Sequence, residues 1–452
     1  MSSTSKPQRY CVIGAGAAGL AAVHALRANG ITVDGYERAA DVAGHWHHDY
    51  ESLHLITSRT TSGFDGFPMP ASYPTYPSRD QMRDYLMSYA DEYDLRKFIT
   101  FSTEVTRVRS APEADGGGWI VTTDNGDERR YRGVLVANGH LTEPMQPTYP
   151  GIYTGKSLHA AQYKTVDDLG GDSVLVVGAG NSGCDLAVDA AHARKRTSIS
   201  IRSGQIFQPK AFFGQPRADL RWLRALPPRV QELVSRSLVR MFVGSYASLP
   251  GLARPASFNL DKQRPIVNDL LPYWIRHGRI TARPGIERLD GTKVHFVDGT
   301  AEHFDTILWA TGYKVTLPFL ADDRLQWRDG VPLRLAATTV PVHLPDLYFI
   351  GLGAPRGPQL PTYSAEAKLV IRLMRVREQL PVDWAARFGA AMRPTSSIDL
   401  LRHLWLNELK TAHRIVDEIE REVSRGPLRT RRTSPVSAST TSSQECHTAS
   451  PA

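Results

Sequence analysis

Short apolar runs recur along this chain, and two of them have the same sequel. Tyr10-Cys11-Val12-Ile13 leads into a glycine turn and then an alanine-rich stretch with apolar positions at helical spacing; Val174-Leu175-Val176-Val177 does the same. Apolar runs of this length bounded by turns read as buried strands, and a period of about 3.6 reads as a helix with one face inward. Residues 8–38 are therefore predicted as strand, helix, strand. The second pattern begins at Asp172, and its next strand covers 197–201. Residues 41–78 show no period and are rich in Gly, Pro, His and aromatics, which predicts ordered loops crossing a cofactor. Residues 79–95 have helical spacing. Residues 98–123 and 130–136 alternate like antiparallel strands, with turns at 116–118 and 125–126, and 135–139 reads as a short buried strand ending in a turn. Residues 205–275 are irregular and basic, with two helical pieces. A hairpin is predicted over 279–297, buried strands with turns over 305–312 and 347–351, and helices over 364–379 and 395–423. From Gly426 apolar residues almost vanish, so 426–452 is expected to be disordered.

The two glycine turns carry the chemistry. They read GAGAAG over 14–19 and GAGNSG over 178–183. In such a strand–turn–helix unit the first glycine (Gly14, Gly178) makes the turn. The second (Gly16, Gly180) lets a pyrophosphate approach the backbone, and the third (Gly19, Gly183) lets helix and strand pack closely. The first helical residues, Ala17 and Ala18, and Asn181 and Ser182, stand where the helix N-terminus meets phosphate charge. Two fingerprints in one chain imply two nucleotides, with electrons moving between them.

The adenosine ribose is read about 20 residues past the glycines. Glu37 stands 18 residues past Gly19 (37 − 19), followed by Arg38; a carboxylate there accepts from ribose hydroxyls and repels a 2′-phosphate, which suits FAD or NAD. Arg202 stands 19 residues past Gly183 (202 − 183), followed by Ser203. A guanidinium there can clamp a 2′-phosphate, which favours NADPH. The fold expected is α/β, with two Rossmann-like dinucleotide-binding domains, the second inserted in the first. The FAD domain takes 1–165 and about 316–425, and the NADPH domain takes 166–315 with the basic helical insertion at about 205–275. No CxxC pair is present to accept electrons as a dithiol. His45, His47 and His48 lack a partner cluster and read as flavin-pocket lining or surface, so no metal is expected and oxygen is the acceptor that remains.

Bulk composition narrows this further. With 452 residues, 41% hydrophobic and 22% charged, the chain can form two domains with real cores. Three cysteines are too few for a disulfide framework, and Cys11 and Cys184 are expected in the core. The first residues lack the apolar core of a signal peptide and no run is long enough to span a membrane, so a cytoplasmic location is expected. The net charge of +8 is spread between the tail and the coenzyme side, without a nucleic-acid motif.

Between the fingerprints lies YTGKSLHAAQYK, in which Tyr153, Gly155, His159 and Tyr163 resemble the FxGxxxHxxx(Y/F) motif of class B flavin-containing monooxygenases. The resemblance continues in Glu37-Arg38 followed by Gly44-His45-Trp46, in Phe67-Pro68 with Tyr73-Pro74, in Ala137-Asn138-Gly139-His140, and in Ala310-Thr311-Gly312-Tyr313. It covers roughly 8–370. It implies FAD held by the first turn with Glu37, Arg38, Gly44, His45, Trp46, Val105 and Gln359. It implies NADPH held by the second turn with Arg202, Ser203, Ala310, Thr311 and Gly312. The activity implied is NADPH- and O2-dependent oxygenation of a soft nitrogen or sulfur nucleophile of a small molecule, through a flavin C4a-hydroperoxide. His159 would hold the junction between the domains. Baeyer–Villiger relatives end the motif in Trp followed by Pro or Asp, whereas this chain has Tyr163-Lys164. The alternatives on the same scaffold are Baeyer–Villiger or decarboxylating oxygenation, an NADPH oxidase producing peroxide, or a flavin-bound redox-sensing module. The asparagine that many relatives place beside the flavin is missing from 55–60, and Thr57 or Ser58 is the candidate to donate in its place. Arg59 reads as a loop arginine, and the 205–275 insertion as a lid or interface more than a membrane contact.

Overall fold

Tyr10–Ile13 is buried along its whole length and pairs in parallel with Val33–Tyr36 on one side and Gly133–Val136 on the other. Ile99–Thr100 and Leu347–Phe349 complete a five-stranded parallel sheet in the order 347–349, 133–136, 10–13, 33–36, 99–100. Side chains of a strand alternate between faces, and here both faces are covered. Tyr10 and Val12 enter a core shared with the helices Ala17–Ala28, Leu360–Gln379 and Arg402–Arg425. Cys11 and Ile13 enter a second core beneath the antiparallel strands Val105–Ser110, Trp119–Thr123 and Glu128–Tyr131.

The second sheet repeats the design. Its order is Lys156–His159, Thr306–Trp309, Ser173–Val177, Arg196–Ser200, Ile280–Arg283, all parallel. Val174 and Val176 face the core under the helix Asn181–His192, while Leu175 and Val177 face Val294, Phe296 and Phe304. Lys156–His159 and Gly151–Tyr153 pair with strands of this second unit, although they lie on the first side of the division expected at 165.

The computed structural model describes residues 8–425 apart from 116, 221, 223–225 and 321; the tail expected to be disordered lies outside the described residues. Three expectations change. Gly133–Val136 belongs to the parallel sheet, because its four buried residues fill both faces beside Tyr10–Ile13. The hairpin expected over 279–297 is shorter, Ile286–Gly291 with Lys293–Phe296. Pro284-Gly285 break the run, and Ile280–Arg283 becomes the edge of the second sheet. The last helix begins at Arg402, because Asp399–Leu400 pairs with Ala354–Pro355. The helix Arg79–Glu92 begins in a capping box, Ser78 accepting from Gln81 N while Gln81 Oε1 accepts from Ser78 N. The insertion contains Pro228–Val243 and Leu270–Arg276, with Pro228 in the first turn of its helix. Cys11 and Cys184 are buried free thiols. No described helix is long and apolar enough to cross a membrane.

Candidate functional site

The three glycines of each turn divide into two kinds. Gly14 has φ +99°, and a Cβ on it would lie 2.8 Å from Ala137 O; one on Gly19 would lie 1.8 Å from Gly14 O. The protein itself demands these two. A Cβ on Gly16 would meet nothing within 4 Å. The middle glycine therefore opens onto space in front of the turn, and nothing within the protein requires it to lack a side chain. The helix behind it has no side-chain cap, which leaves its first N–H groups, at Ala17 and Ala18, for an outside acceptor. That cradle fits a pyrophosphate.

Loops close around the turn. Ala43 N donates to Ala15 O at 3.1 Å, and a Cβ on Gly44 would lie 3.3 Å from Gly16 Cα. Glu37 is 8% exposed; its carboxylate accepts from Ala15 N at 2.6 Å and Ala39 N at 2.9 Å, and each oxygen keeps a further lone pair for a ribose hydroxyl. Val105 packs with Cys11, Ile13 and Tyr36 beneath this end of the sheet, while Arg38 is exposed. Trp46 packs on the first core. His45 pairs with Asp49 at 2.5 Å and His47 Nε2 bonds Val42 O at 2.7 Å, so both histidines brace the loop. Among the described residues no group of His, Cys, Asp or Glu is placed to hold a metal ion. Two buried acceptors, Asn138 Oδ1 and Gln359 Oε1, have no protein partner, although the Gln359 amide nitrogen donates to Pro355 O and Gly357 O at 2.7 and 2.8 Å. Buried polar atoms are normally satisfied, and these two fit a polar ligand; Asn138 lies beside Gly14 of the first turn.

The second turn has the same anatomy. Gly178 has φ +104°, with a Cβ 2.5 Å from Ala310 O; a Cβ on Gly183 would lie 2.0 Å from Gly178 O, and one on Gly180 would meet nothing within 4 Å. Its helix also lacks a side-chain cap. Asn181 Oδ1 instead accepts from Val267 N at 2.9 Å, tying the insertion to the turn. Arg202 and Ser203 are exposed just past the strand Arg196–Ser200, and Arg202 makes no ion pair among the described residues. A 2′-phosphate is a fitting partner.

The motif residues join these parts. His159 is 4% exposed; its Nδ1 accepts from Ala161 N at 3.1 Å and its Nε2 bonds Gly312 O at 3.1 Å. One acceptor and one donor define the neutral ring, and burial pushes its pKa down. His159 therefore fastens the strand Lys156–His159 to the turn at 310–312. Thr311 is held by Met145 O. Tyr153 donates to Phe304 O at 2.9 Å, and a Cβ on Gly155 would lie 2.4 Å from the Tyr153 hydroxyl oxygen. Tyr163 is buried against Tyr50, and Lys164 reaches His48 O. The end of the motif thus anchors the 44–51 loop.

A polar seam that sequence reasoning missed lies between the 50–60 loop and the second unit. Tyr50 donates to Asp185 at 3.3 Å and Asn268 donates to the other oxygen of Asp185 at 2.8 Å. Burial raises the pKa of Asp185 and lowers that of Lys210, which contacts His54. Ser58, 1% exposed, donates to Asp219 at 2.7 Å, and Thr60 donates to the same carboxylate at 3.0 Å. The Thr57 hydroxyl shares a hydrogen bond with that of Ser62 at 2.7 Å. Ser58 is therefore engaged with the insertion, and Thr57 is the freer hydroxyl of the two. No sequence spacing signals such a seam, because the 50–60 loop and its partners in the second unit lie more than a hundred positions apart.

Behind the first turn, Glu366 and Arg334 are both fully buried. Glu366 Oε2 accepts from Gly351 N at 2.8 Å, holding the loop that packs on Ala18. Burial pushes the Glu366 carboxyl up to about 8, against the opposing pull of the Gly351 hydrogen bond and Arg334; burial also lowers Arg334 to about 10. Between pH 4.5 and 8 the unfolded chain loses this proton first, so the folded form binds more protons and stability falls as pH rises. The full difference is on the order of 5 kcal/mol. Glu366→Gln should lack this decline. Denaturant melts across that pH range should show a flatter profile for the variant, and parallel profiles would refute the assignment.

Comparison with known proteins agrees with this geometry. The profile of the flavin-binding monooxygenase-like family matches residues 7–393. Flavin-containing monooxygenase 5 of Mus musculus is 31% identical over 402 residues, 83% of this chain and 74% of that protein. Dimethylaniline monooxygenase [N-oxide-forming] 2 of Macaca mulatta is 29% identical over 448 residues, 93% of this chain and 83% of that one. The fold is shared with a flavin-containing monooxygenase from Stenotrophomonas maltophilia, with TM-score 0.63 and 24% identity over 82% of this chain and 98% of that one. It is shared also with an NADP+-bound cyclohexanone monooxygenase from Rhodococcus sp. Phi1, with TM-score 0.69 and 18% identity over 93% and 99%. The chain belongs to the flavin-binding monooxygenase-like family, and is an FAD-dependent monooxygenase that uses NADPH.

Proposed function

We propose that the enzyme transfers one atom of O2 to a soft nitrogen or sulfur nucleophile of a small molecule. The observation that carries this reading is the pair of open glycine cradles in one chain, linked through His159 and the turn at Gly312. FAD belongs to the first cradle and NADPH to the second. When bound and reduced, the flavin supplies activation of O2 to an electrophilic oxygen donor.

The residues of this chain bind, orient and exclude water. Ala17 and Ala18 offer N–H groups to the pyrophosphate, and Glu37 offers carboxylate oxygens to the ribose. Arg38, Gly44, His45, Trp46 and Val105 line the same end. Gln359 and Asn138 offer their unpartnered oxygens to polar groups of the flavin side. Asn181, Ser182, Arg202 and Ser203 serve the coenzyme, with Ala310, Thr311 and Gly312 at its border. Thr57 takes the place of the missing asparagine as a hydrogen-bond donor, and Ser58 and Thr60 with Asp219 keep the insertion closed over that loop. A dry site of this kind needs no side-chain nucleophile.

Nitrogen oxygenation is supported by relatives whose names carry N-oxide formation. Tyr163-Lys164 at the end of the motif argues against ester formation from ketones. The test is incubation with NADPH and 18O2, using N,N-dimethylaniline, a thioether and a cyclic ketone in parallel. Labelled N-oxide or sulfoxide is expected. Labelled lactone alone would transfer the enzyme to the Baeyer–Villiger class, and stoichiometric hydrogen peroxide without labelled product would make it an oxidase.

A further inference from the structure

The insertion holds a cavity of about 660 Å³, open to solvent on one side, that neither glycine turn lines. This volume is in the range of small-molecule sites. Its rim carries Arg240 and Arg254, both exposed and without an ion pair among the described residues. Arg236 also lines the cavity, and no carboxylate is among its described lining residues.

The interior is of another character. Phe258 presents its ring to the cavity, with the guanidinium of Arg254 5.7 Å and that of Arg236 6.0 Å from its centroid. Leu252 and Val239 add apolar wall. At the back lies Gln208, 2% exposed, whose Oε1 has no hydrogen-bond partner. A buried carboxamide oxygen without a donor is costly unless something else supplies one. Tyr246 cannot do so, because its hydroxyl donates to Gln205 O at 2.6 Å while accepting from Phe207 N at 3.1 Å.

Like-charged guanidiniums at one rim repel each other, and an anion between them removes the repulsion and gains charge-assisted hydrogen bonds. A flat apolar body behind that anion would bury against Phe258 and Leu252. We propose that this cavity binds an organic anion, a carboxylic acid carrying an aromatic group, with its carboxylate at Arg240 and Arg254 and its ring against Phe258. The site stands on its own lining, so it does not depend on which nucleophile the enzyme oxygenates.

The lining of the cavity is tied by hydrogen bonds to both glycine-turn units. Gln208 sits on a strand paired with Ile266–Val267, and Val267 N is bonded to Asn181 beside the second turn. Across the cavity, Leu260 O accepts from Arg356, which follows the loop at Gly351 on the flavin side.

The test is isothermal titration of the full-length, FAD-loaded protein with 2-naphthoate and with 2-naphthamide, which share a ring and differ in charge. The naphthoate should bind at least about tenfold more tightly, as charge-assisted hydrogen bonds are lost with the amide. Arg240→Gln with Arg254→Gln should erase most of that preference, and Arg240→Lys with Arg254→Lys should keep part of it. Phe258→Ala should weaken both ligands. FAD content and NADP+ affinity should not change in the arginine variants, which guards against misfolding. Equal affinity for acid and amide, or no binding of either, would overturn the proposal. Displacement of naphthoate by NADP+ would also overturn it, by assigning the arginines to the coenzyme phosphate.

Discussion

Gly16→Val is expected to yield a folded, colourless protein. The wild type should be yellow, with about one FAD per chain held at a single fingerprint. Gly16 has φ −70° and ψ −171°, an extended conformation that any residue adopts, and a Cβ there meets no protein atom within 4 Å. Valine therefore fits the protein and fills only the space in front of the turn. The ligand's charged oxygens would lose two or more hydrogen bonds donated by backbone N–H groups, each worth about 1.5–3 kcal/mol, so affinity should fall roughly 100-fold or more. Far-UV circular dichroism of the variant should match that of flavin-stripped wild type. Gly19→Val is the contrast: its Cβ would lie 1.8 Å from Gly14 O, so that variant should fail to fold. A Gly16→Val protein that retains FAD at full occupancy would refute the assignment of the first turn.

Arg202→Ala should change which coenzyme the enzyme uses and leave its colour alone. Arg202 is exposed at the end of its strand and makes no ion pair among the described residues, so its removal costs the fold little. The lost contact is a guanidinium against a 2′-phosphate in a partly solvated site, about 1.5–3 kcal/mol, or roughly ten- to a hundredfold in KM for NADPH. NADH lacks that phosphate, and its KM should hardly move. The preference for NADPH should narrow or reverse, and the wild-type preference should weaken with salt as exposed charge pairs do. Equal losses for both coenzymes would mean that Arg202 supports the structure, and a wild type that prefers NADH would remove the assignment outright.

Much of the architecture was legible because it is local. A short buried strand, a turn that needs Gly14 at positive φ, and a helix that needs Gly19 against it are all contained in residues 10–28, and the same holds at 173–192. Periodicity located the helix Arg79–Glu92 for the same reason. It misjudged Gly133–Val136, since a short buried run does not say whether its partner is antiparallel or parallel; Tyr10–Ile13, far away in the chain, decides that.

The sequence by itself determined that two dinucleotide turns of this kind stand in one chain, which charge follows each, and the Gly155–His159–Tyr163 motif between them. Only the tertiary structure decided what those residues do to one another. It made His159 a neutral clasp on Gly312, by placing a backbone donor at one ring nitrogen and a carbonyl at the other. It committed Ser58 to Asp219 and left Thr57 freer, across 161 positions of sequence. It buried Glu366 beside Arg334 and gathered Arg240, Arg254 and Phe258 around one cavity. The physical reason is common to all of these. Burial, dielectric and hydrogen-bond partners are properties of a place in space, and residues distant in the chain build that place.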